Sequence, residues 1–216
     1  AAGTKSDSDV RMNFPNSHRV NTIYGEISDI DLDNQIVSVG QTKVDYSELI
    51  IGLGCEDKYH NVPGAKEYTH SIQTLSKARE TFHSISELPK GARVGIVGAG
   101  LSGIELASEL RESRTDLEII LYDRGPRILR NFPEKLSNYI AKWFRENNVN
   151  VVPNSLIDKV EQGTIYNGGT PEPVDIVVWT AGIQPVEIVR KLPIDINKSG
   201  RVIVNQYHQV PTYKNE

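Results

Sequence analysis

Residues 98 to 105 read GAGLSGIE, which puts Gly98, Gly100 and Gly103 at G-x-G-x-x-G spacing with Glu105 two positions on. Glycines so spaced suit anion binding: the first allows a tight turn, the second lets main chain approach a diphosphate, and the third seats a helix close to a sheet. A helix beginning at Leu101 would leave its first N–H groups without intrahelical acceptors and add a partial positive charge. Ala99, Leu101 and Ser102 are therefore candidate contacts to the anion alongside the glycines.

Asp123 follows Gly103 by 20 residues, at the end of the strand-like run LEIILYD. A carboxylate there can accept hydrogen bonds from an adenosine ribose and would repel a 2′-phosphate, which favours NADH over NADPH. Arg124, with Arg127 and Arg130, forms a basic stretch that could tolerate a phosphate, although a solvated loop is the preferred reading. Glu105, one turn into the helix, either decorates the surface or hydrogen-bonds a nicotinamide carboxamide.

These residues need a parallel sheet to position them, and the periodicity supplies one. RVGIV (93–97) reads as a strand, 101–113 as a helix, 117–123 as a strand, 133–148 as a helix and 149–153 as a strand. Alternation of this kind implies an α/β unit with right-handed crossovers. Ile72, Leu75, Ala78, Phe82 and Ile85 predict a helix over 71–88, and Leu136, Tyr139, Ile140, Trp143 and Phe144 predict the buried face of the 133–148 helix. A hairpin is expected around Gly163 to Gly169, and VDIVVWT (174–180) reads as a further buried strand. Upstream, strands are expected at 20–24, 26–31, 35–39, 43–46 and 48–52, with turns at Asp33-Asn34 and Gly40-Gln41. Pro63-Gly64 marks the loop that leaves this meander, and 185–216 is less regular.

Other chemistries find no support. A formal net charge of −4 argues against a nucleic-acid partner. The single cysteine, Cys55, leaves no disulfide or CxxC pair within the chain and fits a reducing compartment. The histidines show no metal-ligand spacing and no metal is expected. Ser102 is not in a G-x-S-x-G elbow. No apolar run approaches the roughly 18 residues of a membrane span.

The segments VDYSELIIGLGC, NVPGAKEYTHSI, GIVGAGLSGIELASEL, LYDRGPRIL and VDIVVWTAGIQP, in this order, resemble the flavin-dependent pyridine-nucleotide oxidoreductases with two dinucleotide-binding domains. Within that group the chain is most similar to the type II NADH dehydrogenases, single-subunit NADH:quinone oxidoreductases. The resemblance implies an α/β fold in which a Rossmann-like NADH-binding domain, a parallel sheet plus a small β-meander over 69–184, is flanked by partial FAD-domain segments with antiparallel strands at 1–68 and 185–216. It implies NADH as a ligand of this chain, and FAD and a quinone as cofactor and acceptor of a longer protein of which this looks like the middle. Glu105 would position the nicotinamide, Asp123 the ribose, and Gly98, Gly100 and Gly103 the diphosphate, with Thr180, Ala181 and Gly182 of WTAG toward the nicotinamide. A cytoplasmic location, with the longer protein peripheral on the inner face of the membrane, is the accompanying expectation, and a homodimer stays open. Disulfide and ferredoxin reductases of the same superfamily, or a non-catalytic NADH-sensing module, are the alternatives.

Overall fold

The computed structural model describes residues 7–10, 12 and 17–211. In chain order the elements are helix α1 (Asp7–Val10), strands β1 (Ile27–Asp31), β2 (Ile36–Val39), β3 (Thr42–Asp45) and β4 (Cys55–Asp57), and helices α2 (Ala65–Tyr68) and α3 (Leu75–Ser86). Strand β5 (Arg93–Val97), helix α4 (Leu101–Ser113), strand β6 (Glu118–Tyr122), helix α5 (Glu134–Glu146) and strand β7 (Val149–Val152) follow. Strands β8 (Ile157–Glu161), β9 (Thr164–Asn167), β10 (Thr170–Pro173), β11 (Ile176–Trp179) and β12 (Ile183–Pro185) and helix α6 (Glu187–Arg190) complete the series.

Two compact units divide the chain. Asp57–Ile183 forms the larger, so residues 57–68, which the sequence grouped with the upstream meander, pack here with the glycine turn's own domain. Its sheet has the order β11-β5-β6-β7, all neighbours parallel. The strands are almost wholly apolar because both sheet faces are covered. Alternate residues divide between two cores, as a pleated strand requires. Val94, Ile96, Ile119, Leu121, Ile176 and Val178 pack with Ile85, Ile104, Leu110 and Phe144 from α3, α4 and α5. Val97, Ile120, Tyr122, Val177 and Trp179 pack with Val160 and Ile165 of the antiparallel β8–β10 meander and with Val174 just after it. Gly95 falls on the meander face, where a Cβ would come within 2.9 Å of Ile165 Cδ1. The hairpin expected near 163–169 and the buried strand after it are both present.

The two expected helix faces are met in part. In α3 Ile85 is buried as expected and Thr81 joins it, its hydroxyl donating to the Ser71 carbonyl at 2.7 Å, while Phe82 is exposed. In α5 Phe144 is buried and Ile140 and Trp143 pack against the core as expected, joined by Ser137, bonded to the Ile128 carbonyl at 2.6 Å, while Tyr139 is 69% exposed. A satisfied hydroxyl buries readily.

The second unit comprises the described residues up to Glu56 and those from Gln184 onward. β1, β2 and β3 form an antiparallel sheet with turns at the expected Asn34 and Gly40. Asp31 caps the first turn by accepting from the Asn34 N–H at 2.9 Å. The guanidinium of Arg190 in α6 donates to Glu56 at 2.6 Å. Two expected strands are missing: 20–24 and 48–52 carry no strand, and Ile50 is 95% exposed. An apolar run becomes a strand only beside a partner that takes up its N–H and C=O groups, and no described strand lies against it.

An arginine clasp joins the end of α3 to the turn before β6. Arg114 donates to the Ile85 and Leu88 carbonyls at 2.9 Å and grips Asp116 through both carboxylate oxygens at 2.8 and 2.9 Å. The Arg114 hydrogen bond holds the Asp116 carboxyl at about 2. A folded value below the unfolded one of about 3.9 means that the stabilisation is complete above that pH and disappears as pH falls toward 2. Urea unfolding of wild type and Asp116→Asn between neutral pH and pH 2.5 (about) should therefore converge on acidification; a stability difference that does not shrink would remove the clasp from the account.

Candidate functional site

β5 ends at Val97 and the chain turns back through Gly98 with φ +110°, a region that side-chain-bearing residues rarely enter. A Cβ on Gly98 would also stand 2.7 Å from the Ala181 backbone. Gly103, in the first turn of α4, has no room either, since its Cβ would overlap the Gly98 carbonyl oxygen. Thr180 completes this knot, its hydroxyl donating to the carbonyls of Gly98 at 2.8 Å and Val97 at 3.0 Å. Both glycines are required by the protein's own packing.

Gly100 differs. Its φ of −77° and ψ of −172° are open to any residue, and no atom lies within 4 Å of where its Cβ would be. Nothing in the fold demands a glycine there. Gly100 caps α4 without a side-chain acceptor, which leaves the helix's first N–H groups facing outward. A bare backbone beside unsatisfied donors is the arrangement a diphosphate needs, and on this observation the residues fit such a group.

Asp123 is built into the turn. One oxygen accepts from the Ala99 N–H at 2.7 Å and the other from the Gly125 N–H at 2.6 Å. Each oxygen retains a lone pair for a further donor such as a ribose hydroxyl. Ala99 in turn accepts from the Leu129 N–H at 2.9 Å, so the loop 125–132 is tied to the glycine turn. Arg127 folds this loop from within, donating to the carbonyls of Leu129, Arg130 and Phe132 at 3.2, 2.9 and 3.0 Å.

These pieces line one groove of about 460 Å³ at the carboxyl ends of the parallel strands. Of the residues singled out from sequence, Gly98, Ala99, Gly100, Asp123, Arg124, Thr180, Ala181 and Gly182 line it. Gly103 is buried behind them, and Leu101, Ser102 and Glu105 are exposed on α4 outside the lining. The groove also takes in His60, Leu129, Arg130, Phe132, Ser155, Leu156 and Trp179. Ser155 and Leu156 follow β7, and the rule that ligands sit beyond strand carboxyl ends could have flagged them. His60 has no such signal. Its Nε2 lies 3.0 Å from the Ala181 carbonyl, which makes that nitrogen the donor, and it packs against Gly182. Tyr122 forms part of the floor, its hydroxyl donating to Glu172 at 2.7 Å; burial, then Glu172, push the phenol's pKa upward. Among the described residues no group of three or more His, Cys, Asp or Glu side chains could hold a metal ion.

A parallel sheet bearing a glycine turn, a carboxylate at the end of the adjacent strand and a shared groove defines a dinucleotide-binding α/β protein. The model of the pyridine nucleotide-disulphide oxidoreductase family matches residues 4–215, and the chain belongs to that family. It is 51% identical over 212 residues to the NADH dehydrogenase-like protein YutJ of Bacillus subtilis, covering 98% of this chain and 60% of that protein. With the type II NADH:quinone oxidoreductase of Staphylococcus saprophyticus it shares 22% identity, over 95% of this chain and 58% of the relative. The NADH-bound water-forming NADH oxidase of Lactobacillus brevis has the same fold, with a TM-score of 0.75 at 19% identity over 86% of this chain and 43% of that one. The chain thus spans between 43% and 60% of the length of these three proteins.

The three glycines make separable demands. Gly100→Ala should fold with a melting temperature within about 2 °C of wild type yet bind NADH about tenfold or more weakly, whereas Gly103→Ala should lose several kcal/mol of stability, about 2–4. Thermal melts paired with NADH titration check both. Unchanged affinity in Gly100→Ala would mean that the anion does not rest on this turn.

Proposed function

We propose that the chain is the NADH-binding part, with flanking flavin-side segments, of an FAD-dependent NADH dehydrogenase that passes electrons to a quinone. The observation that carries this reading is Gly100, a glycine that the fold does not require and that an approaching diphosphate would. The names of the Bacillus and Staphylococcus relatives support the donor, and the second supports the acceptor. In this reading the unit Asp57–Ile183 is the NADH domain, and the segments up to Glu56 and from Gln184 onward belong to the FAD domain.

The residues act by holding the dinucleotide. The N–H groups at the start of α4 take the diphosphate and Asp123 takes ribose hydroxyls. Thr180, Ala181 and Gly182 line the nicotinamide end, and Glu105 bonds the carboxamide. For the flavin, the run around Gly52 and Gly54, whose Cβ positions meet nothing within 4 Å, is the open stretch available in the flanking unit. Bound FAD would supply the hydride acceptor, while the protein fixes the orientation on which the transfer rate depends. Among the described residues no helix is long and apolar enough to cross a membrane, and attachment of the longer protein is proposed to be peripheral.

Purified full-length protein supplied with FAD should oxidise NADH in the presence of a soluble quinone analogue. Glu105→Gln should lower kcat/KM for NADH by about tenfold through poorer nicotinamide alignment. Turnover with oxygen alone and none with quinones would replace the dehydrogenase with an oxidase. Wild-type kinetics in Glu105→Gln would take that residue out of the site.

A further inference from the structure

The strand order decides where the two halves of a dinucleotide can lie. β5, which carries the glycine turn, stands between β11 on one side and β6 on the other. In the NADH reading, a diphosphate on that turn with its ribose at Asp123, after β6, runs its other half over Thr180 to Gly182, after β11. Those residues bring no free polar side chain to a ligand. The Thr180 hydroxyl is engaged by the Gly98 and Val97 carbonyls, and Ala181 and Gly182 have none to offer. This wall acts on a nicotinamide through its main chain, so the placement of that main chain matters.

Residues 58–62 supply the placement. The Lys58 N–H bonds the Gly182 carbonyl at 3.0 Å, and the Trp179 indole N–H donates back to the Lys58 carbonyl at 3.0 Å. The Tyr59 ring lies against Trp179, centroids 5.8 Å apart and planes tilted by 42°. His60 and Asn61 then pass through left-handed backbone, at φ +52° and +58°, and the Val62 N–H closes the turn on the Tyr59 carbonyl at 2.9 Å. Consecutive non-glycine residues in that region are unfavourable and persist where their surroundings fix them. The turn carries the His60 ring to the groove wall, where Nε2 donates to the Ala181 carbonyl at 3.0 Å. A Cβ on Gly182 would stand 3.2 Å from the same nitrogen and crowd the ring.

The strap is tied down by its Lys58 and Trp179 bonds without help from His60. That side chain is exposed and has no other hydrogen-bond or ion-pair partner among the described residues. Its one bond goes to the wall of the groove. We propose that His60 is a positioning residue for hydride transfer: by holding the Ala181 carbonyl it fixes the main-chain wall against which the nicotinamide half of the dinucleotide settles. This rests on the NADH reading of the groove. Nε2 carries a proton in this bond whether the ring is neutral or charged, so the bond asks for no particular charge state.

An isosteric pair of variants tests it. His60→Asn tolerates the left-handed turn, but its amide is too short to follow the ring as far as Nε2. It should weaken NADH about fivefold in calorimetric titration of the full chain and leave adenosine 5′-diphosphate, which lacks the nicotinamide half, within about twofold. In full-length protein, stopped-flow reduction of bound FAD at saturating NADH should slow about tenfold, because a displaced wall costs alignment. His60→Gln, whose Nε2–H can reach the same carbonyl, should restore both toward wild type and keep the wild-type pH profile of kcat/KM. Equal losses for NADH and adenosine 5′-diphosphate, no rescue by glutamine, or a changed pH profile in His60→Gln overturns the proposal; the last would make His60 an acid or base. NADH affinity and FAD reduction unchanged in His60→Asn would defeat this inference alone, whereas wild type that binds neither nucleotide would take the groove's dinucleotide reading with it.

Discussion

The site depends on a close approach of three main-chain segments. The end of β5, the first turn of α4 and the residues after β11 converge at Gly98, Gly103 and Thr180, with no room for a side chain at either glycine. One hydroxyl, donating to the carbonyls of Gly98 and Val97, holds the third segment against the first. Because the helix is drawn this close to the sheet, its N-terminus opens into the groove. The anion-binding property of the turn is a product of dense backbone packing, and the unsatisfied donors at α4 cost little because they remain exposed to water or ligand.

Around this knot the structure ties the groove walls to the strand ends. Asp123 joins the end of β6 to Ala99, and Leu129 returns from the following loop to the same residue. Arg127 keeps that loop folded by serving its own carbonyls. A ligand entering such a groove meets walls already in position, so less of its interaction free energy is lost to ordering the protein.

Much of this was legible in the sequence, for local reasons. The strand, glycine turn, helix and acid lie within about 30 consecutive residues, and short-range periodicity and spacing report them well. What escaped depends on partners distant in the chain or on polar groups in the core. His60 reaches Ala181 across 121 positions. Thr81 and Ser137 lie buried where apolar spacing gave no inward residue, because each hydroxyl finds a carbonyl to serve, while Phe82 and Tyr139, expected inside, are exposed. The run at 48–52 has the composition of a strand but lacks a described neighbour to pair with, and Ile50 stands exposed. The arginines of 124–130 looked alike in sequence; only their carbonyl partners, or lack of them, separate Arg127 from the other two.

The larger unit begins and finishes at nearly the same point: the Lys58 N–H bonds the Gly182 carbonyl at 3.0 Å, each residue next to a boundary. A body whose two ends meet can be spliced into a loop of some host fold without pulling either apart. That geometry lets the larger unit fold as an insert whose host strands need not part to admit it.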